Sequence, residues 1–313
     1  MSRELFAVTG ASGFVGRAVV ATLRTRGIAV RPLVRQAACG DAVPVGEIGP
    51  QTDWARALHG VTHVIHAAAR AHVMQDDATD PLEAYRTVNV DGTRRLAEQA
   101  AVAGVRRLVF VSSVKVNGER TPPGAHFSAS DRPAPEDAYG LSKWEAEQTL
   151  HRLAVTSGFE TVVIRPPLVY GPGAKGNFAR LINWVRRGVP LPLGAINNRR
   201  ALVGIDNLVD LLVQCTRLPQ AVGQTFMVSD GNDLSTPELI SRLALAMGRR
   251  DRVFHVYPRL LGWGGQLTGR STEISRLTDS LCVNLEPTRK LLCWSPPLDV
   301  DEGLRRAVES VKR

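Results

Sequence analysis

The sequence predicts a parallel, doubly wound α/β sheet followed by a smaller, partly interleaved domain. Three observations lead there. Strand-then-helix units succeed one another from residue 4 to about residue 170, which is how a parallel sheet covered on both faces reads in sequence. The first unit places Gly10, Gly13 and Gly16 between its strand and its helix, the glycine turn of a Rossmann-type sheet. Beyond residue 170 the rhythm breaks into helices and short apolar runs. We divide the chain into a dinucleotide-binding part, 1–168, to which residues of about 201–223 return, and a substrate-binding cap, 169–313.

Residues 4–8 are a short apolar strand. After the TGASGFVG turn, Phe14, Val15, Ala18, Val19 and Leu23 give a helical stripe. Glycines let the turn close tightly and let the backbone approach a pyrophosphate, while the helix N-terminus aims amide groups at it. The second strand, 28–34, lacks the acidic residue at its end that binds ribose hydroxyls in NAD sites. Arg31 and Arg35 are there instead. A guanidinium at the strand tip suits a 2′-phosphate, so NADP(H) is favoured over NAD(H).

A short strand, 43–45, precedes Glu47 and Ile48, which could flank an adenine. THVIHAAA is the fourth strand, and the small residues Ala67, Ala68 and Ala69 at its end let a cofactor lie close. Residues 81–104 read as one long helix containing Asn89, with Gly104 at its C-cap. RRLVFVSS delivers Ser112 and Ser113 to the carboxyl end of the fifth strand, where ligands bind in open sheets. A loop rich in Pro and Asp follows. Tyr139 then opens a helix to about Ser157, with Trp144, Glu147, Leu150, Leu153 and Ala154 at its periodic positions. Tyr139 and Lys143 are four apart and share a face. Alone, that spacing also fits a surface tyrosine beside a solvated lysine. Further on, Ser235-Thr236-Pro237-Glu238 is a capping box that starts another helix.

At 313 residues and 44% hydrophobic content the chain can bury a large core. No run of about 18 apolar residues marks a membrane span, and the chain starts at once with a strand. Both point to a cytoplasmic protein. The net charge of +9 is spread as arginine pairs rather than as a tail, so no nucleic-acid partner is expected. Cys39, Cys215, Cys282 and Cys293 show no CxxC pairing, and His63, His66 and His72 have no ligand partners at helical spacing. No metal site is expected from these spacings.

With TGASGFVG, HAAA, Asn89, VSSVKVNG, YGLSK, RPPLVYGPG and RRALVGIDNL in this order, the chain resembles the extended short-chain dehydrogenase/reductases, the family of nucleotide-sugar epimerases, dehydratases and reductases. The resemblance spans nearly the whole length. It implies Ser113, Tyr139 and Lys143 as catalytic residues, with Tyr139 as acid/base. It implies Ser12, Phe14, Val15, Val111, Pro166 and Val169 beside the cofactor, with the glycines, Arg35, Glu47, Ile48, the three alanines and Asn89. For a UDP-linked nucleotide sugar it implies His72, Ser113, Lys115, Asn117, Tyr139, Asn177, Arg200 and Arg270. Family members often pair as homodimers through the tyrosine-bearing helix.

Val114 and Lys115 stand where 4,6-dehydratases carry an acid pair, which argues against dehydration. Because Arg35 points to NADPH, the expected reaction is reduction of the C4 ketone of a 4-keto-6-deoxy sugar for bacterial O-antigen. SSVKVNG and SDGNDLSTPEL are similar to the UDP-2-acetamido-2,6-dideoxy-hexos-4-ulose reductases. An NAD-dependent UDP-sugar C4 epimerase is the alternative, and a non-catalytic NADP-sensing protein a remote one.

Overall fold

A computed structural model of the chain describes residues 4–36, 40–71, 80–256, 275 and 277–312. Its main sheet is wholly parallel and takes the order β3-β2-β1-β4-β5-β6-β9. The strands are β1 (Leu5–Thr9), β2 (Ala29–Val34), β3 (Val43–Pro44), β4 (His63–His66), β5 (Arg107–Val111), β6 (Glu160–Arg165) and β9 (Thr225–Met227). From β1 the chain first builds outward to β3. It then returns to the other side of β1 with β4, which creates a switch-point crevice between the carboxyl ends of β1 and β4. A separate parallel pair, β7 (Leu168–Tyr170) and β8 (Leu202–Gly204), lies beyond. The fold is thus the Rossmann-type sheet that the strand–helix rhythm predicts.

Helices cover both faces. On one, α1 (Phe14–Thr25) and α7 (Ile205–Arg217) pack Val19, Leu23, Leu208 and Leu212 over the sheet. On the other, α2 (Ala55–Leu58), α4 (Gly92–Val102) and α5 (Ala138–Ser157) bring Trp54, Leu58, Leu96, Ala100 and Leu150. A further cluster, Tyr170, Phe178, Leu181, Ile240, Leu243 and Leu304, joins α6 (Gly176–Arg187), α8 (Thr236–Ala246) and α10 (Val300–Lys312). Between them the chain passes through α9 (Glu286–Leu292). Ser235 caps α8 with the expected reciprocal bonds to Glu238.

Three local expectations change. The helix read across 81–104 is α3 (Pro81–Arg86), a π-helical stretch at Thr87–Asp91, and then α4. Gly92 lies against Ile48, whose Cγ2 would be 2.5 Å from an added Cβ. Ala67, Ala68 and Ala69 follow β4 rather than extend it. The sequence ends the chain's return near residue 223, but Thr225–Met227 pairs with β6, so the main sheet reaches Met227. A strand this short, with Phe226 and Met227 both buried, has no alternation to betray it.

Candidate active site

The glycine turn sits at the crevice. Gly10 has φ 64°, and a Cβ there would lie 2.8 Å from the Ala68 amide nitrogen. Gly13 N donates to Gly10 O at 2.8 Å. A Cβ on Gly16 would sit 2.1 Å from that same carbonyl. No side chain caps α1 at Gly13, which leaves the first-turn amides open to an anion. Ser12 is exposed on the turn, and Phe14 and Val15 are half-buried. This cradle fits a dinucleotide pyrophosphate.

At the tip of β2 the geometry revises the sequence reading. Arg31 turns away from the tip and donates to Ala57 O and His59 O, both at 2.8 Å. Arg35 does stand at the tip, but Glu47 Oε1 lies 3.5 Å from its Nε. A carboxylate missing from the strand itself is therefore supplied by the turn after β3. It offsets the charge on which the NADP(H) preference rested. Both side chains are exposed, so the pair itself is weak.

Ser113, Tyr139 and Lys143 converge at the carboxyl end of β5. Asp137 caps α5 by accepting from Gly140 N at 2.6 Å, which fixes the first turn and with it Tyr139. Ser113 opens a 3₁₀ turn, Val114–Val116, and its Oγ accepts from Lys115 N at 3.2 Å. The Ser113 hydroxyl also hydrogen-bonds to Tyr139. Lys143 is 2% exposed and donates to Val111 O at 2.8 Å. Its Nζ lies 4.4 Å from the Phe110 ring centroid and 6.0 Å from that of Tyr139. Tyr85 meets Tyr139 edge-on at 6.1 Å.

Burial pushes Lys143 down to about 7, against the pull of Glu147. Burial also raises the Tyr139 phenol well above its ordinary value; Asp137 and Tyr85 add to this, and the Ser113 bond opposes it. Burial therefore keeps the phenol protonated unless a further positive charge stands beside it. His66 is buried between Thr9 Oγ1 at 2.6 Å and Thr93 Oγ1 at 2.9 Å. Its pKa is lowered to about 3, by burial first and then by Lys143.

Two residues without a sequence-assigned role hold this centre together. Glu147, one turn beyond Lys143, is 4% exposed and accepts from Ser112 Oγ. Arg165 at the end of β6 donates to it through Nε at 3.0 Å and Nη2 at 2.6 Å. The signal was present: Glu147 occupies an apolar phase position of its helix, and an arginine follows the apolar run of residues 162–164.

Several assigned residues are engaged elsewhere. Asn117 is 3% exposed; its amide donates to Ser128 O at 2.8 Å and its oxygen accepts from Arg165 at 2.9 Å. With both ends occupied internally, it does not face a substrate. Lys115 bridges Glu119 and Asp137, at 2.5 Å each, and so braces the α5 cap. Asn89, on the π stretch, donates to Ser142 Oγ at 2.9 Å and accepts from Arg70 N at 2.9 Å. It secures the chain after β4. Val111 and Pro166 are buried, and Val169 is half-buried. The Pro166 carbonyl accepts from Val114 N at 3.0 Å. Asn177 is exposed at the start of α6. Arg200 is half-buried and donates to Asp279 O at 3.0 Å. His72 and Arg270 lie outside the described residues.

A family model described as the NAD dependent epimerase/dehydratase family matches residues 6–228. The chain belongs to that family. A UDP-glucose 4-epimerase of Vibrio cholerae is 45% identical over 308 residues, covering 97% of this chain and 94% of the relative. Among solved structures, a UDP-glucose 4-epimerase of Thermotoga maritima with UDP-glucose superposes with a TM-score of 0.77. It is 20% identical and covers 98% of each chain. A UDP-glucuronic acid 4-epimerase of Bacillus cereus in complex with NAD gives 0.76, also at 20% identity and 98% of each chain. At these identities the two structures speak for the epimerase/dehydratase fold. Among the described residues no helix is long and apolar enough to cross a membrane.

Proposed function

We propose that this member of the epimerase/dehydratase family interconverts UDP-sugars at C4 and uses NAD. The observation that carries the reading is the match to the Vibrio cholerae UDP-glucose 4-epimerase. It runs along 97% of the chain, so it includes the part after residue 170 that would recognise a sugar nucleotide as well as the sheet. Glu47 beside Arg35 supports NAD, since a carboxylate at that corner accepts from ribose hydroxyls and repels a 2′-phosphate. The main sequence expectation, a 4-ketoreductase using NADP(H), loses its principal argument at the same place.

In this reading the glycine turn and α1 bind the pyrophosphate. When bound, the nicotinamide takes up and returns a hydride at C4. Tyr139 takes the proton of the C4 hydroxyl and gives it back, and Ser113 holds the oxygen in place. Tyr139 needs a nearby positive charge to act as a base, because burial alone keeps its proton on. Lys143, charged below about 7, orders the ribose. Arg200 and Asn177 are the residues we assign to the substrate diphosphate. Val114 is buried and Lys115 is tied to two carboxylates, so no acid pair serves dehydration.

The test uses purified protein without added cofactor. Interconversion of UDP-glucose with UDP-galactose, or of the N-acetyl pair, with NAD released on denaturation, is the expected result. Consumption of NADPH with a UDP-4-keto-6-deoxy sugar, and no interconversion, would overturn the reading in favour of the reductase. Tyr139→Phe should keep bound NAD and lose at least about 100-fold in turnover.

A further inference from the structure

Three side chains from distant parts of the sequence meet. His126 comes from the loop before α5, Asp233 from the segment before α8, and Cys282 from the segment before α9. One ligand-type atom from each lies within 4.8 Å of the other two. His126 Nε2 is 3.7 Å from Asp233 Oδ2. The Cys282 thiol donates to Arg199 O at 3.4 Å.

The backbone fixes this meeting. Phe127 N donates to Cys282 O at 2.9 Å, and Asn284 N to Phe127 O at 2.8 Å, so His126 and Cys282 flank one parallel bridge. Leu234 N donates to Arg200 O at 3.1 Å, and Leu281 N to Arg199 O at 2.9 Å, which sets Asp233 and Cys282 on a common frame. Cys282 N is further held by Thr121 Oγ1 at 3.3 Å. Cys282 is buried, whereas His126 keeps 48% of its side chain exposed and has room to swing.

We propose that His126, Asp233 and Cys282 bind one zinc-type divalent ion, with a fourth position open to water. A thiolate, an imidazole and a carboxylate are a donor set for borderline metals, and three protein ligands leave such an opening. With metal–ligand bonds of about 2.0–2.3 Å, tetrahedral ligand atoms stand about 3.3–3.8 Å apart. The His126–Asp233 separation of 3.7 Å is a few tenths of an ångström above the roughly 3.3–3.4 Å of a bound N/O pair, and the cysteine sulfur closes in by about 1.2 Å at most. On binding, the Cys282 S–H bond breaks, the sulfur gives its electron pair to the metal, and the proton leaves to solvent. The nearby Arg199 guanidinium is already directed to Glu238, at 2.9 Å. None of these residues shares a spacing that sequence reading could group, since the site exists only through long-range bridges. A bound ion would pin the loop that leads into Tyr139 to the C-terminal segments.

The full chain, stripped with a chelator, should take up one equivalent of Zn²⁺ in competition with a chromophoric chelator. Co²⁺ in its place should give a thiolate-to-cobalt charge-transfer band. Cys282→Ser and His126→Ala should each weaken uptake by at least about tenfold, with the cobalt band lost in the first. Cys39→Ser and Cys293→Ser should leave uptake unchanged. His126 is half-exposed, so its variant retains the readout even if Cys282→Ser folds poorly. No stoichiometric uptake, or uptake that survives His126→Ala, would overturn the proposal.

Discussion

Replacing Glu147 by glutamine removes one negative charge from the interior while keeping the side chain's shape. The carboxylate and the Arg165 guanidinium are 4% and 3% exposed in their side chains, so water screens neither. A glutamine oxygen can still accept from Ser112, but its amide then faces an Arg165 donor. Arg165 keeps that oxygen at Nε and Asn117 at its other nitrogen, but it is left as a buried cation with no counter-charge. Breaking one side of a buried pair costs about 3–5 kcal/mol. For a chain of this size that is a fall of about 5–8 °C in the unfolding midpoint. A second effect follows at Lys143, which burial holds at about 7 and which Glu147 pulls upward. The groups facing that ammonium are Glu147, Tyr139 and the neutral His66. Without the Glu147 charge the lysine loses its proton at a lower pH, so the alkaline limb of the pH–rate profile should move down. Calorimetry and a pH–rate series measure the two effects separately. The double variant Glu147→Gln/Arg165→Met should recover most of the stability but not the pH shift. A Glu147→Gln protein that unfolds within about 1 kcal/mol of the parent and keeps its pH profile would refute the reasoning.

Gly16→Ala places a Cβ 2.1 Å from the Gly10 carbonyl, backbone against backbone. It should abolish nucleotide retention or lower the unfolding midpoint, and a variant normal in both would contradict the turn's role. Glu47→Ala leaves Arg35 without its carboxylate, so NADPH should gain on NADH in fluorescence titrations; an unchanged ratio rejects the part given to Glu47. His66 stays neutral in the fold down to about 3, whereas in the unfolded chain it takes a proton near 6.5. The unfolded state then binds more protons between those values, so stability falls as pH falls through that window. His66→Asn should give a shallower slope of stability against pH between them, and an equal slope would count against the burial argument.

The sheet, its helices and the Ser–Tyr–Lys centre were legible because each rests on a local pattern: a period, a glycine turn, a four-residue spacing. What was not legible depends on contacts across the sequence. Glu47 reaches Arg35 only once β3 lies beside β2. Asn117 and Lys115 follow directly on the serine and read as ligands, yet they serve Arg165 and Asp137, partners tens of residues away. The π stretch looks like uninterrupted helix, because no Gly, Pro or cap residue pattern marks residues 87–91. The rise in the Tyr139 pKa likewise needs burial, which the spacing to Lys143 does not report.

The pairing of α1 with α7 has a consequence for how the protein is made. Val19 and Leu23 find their cover in Leu208 and Leu212, 189 residues further along the chain. At about 5–20 residues per second, the first helix to leave the ribosome waits roughly 10–40 s for its partner. Through that interval one face of the first βα unit carries uncovered apolar surface, although β4 becomes available to β1 once residue 66 is made. Truncation before residue 205 should leave that surface open.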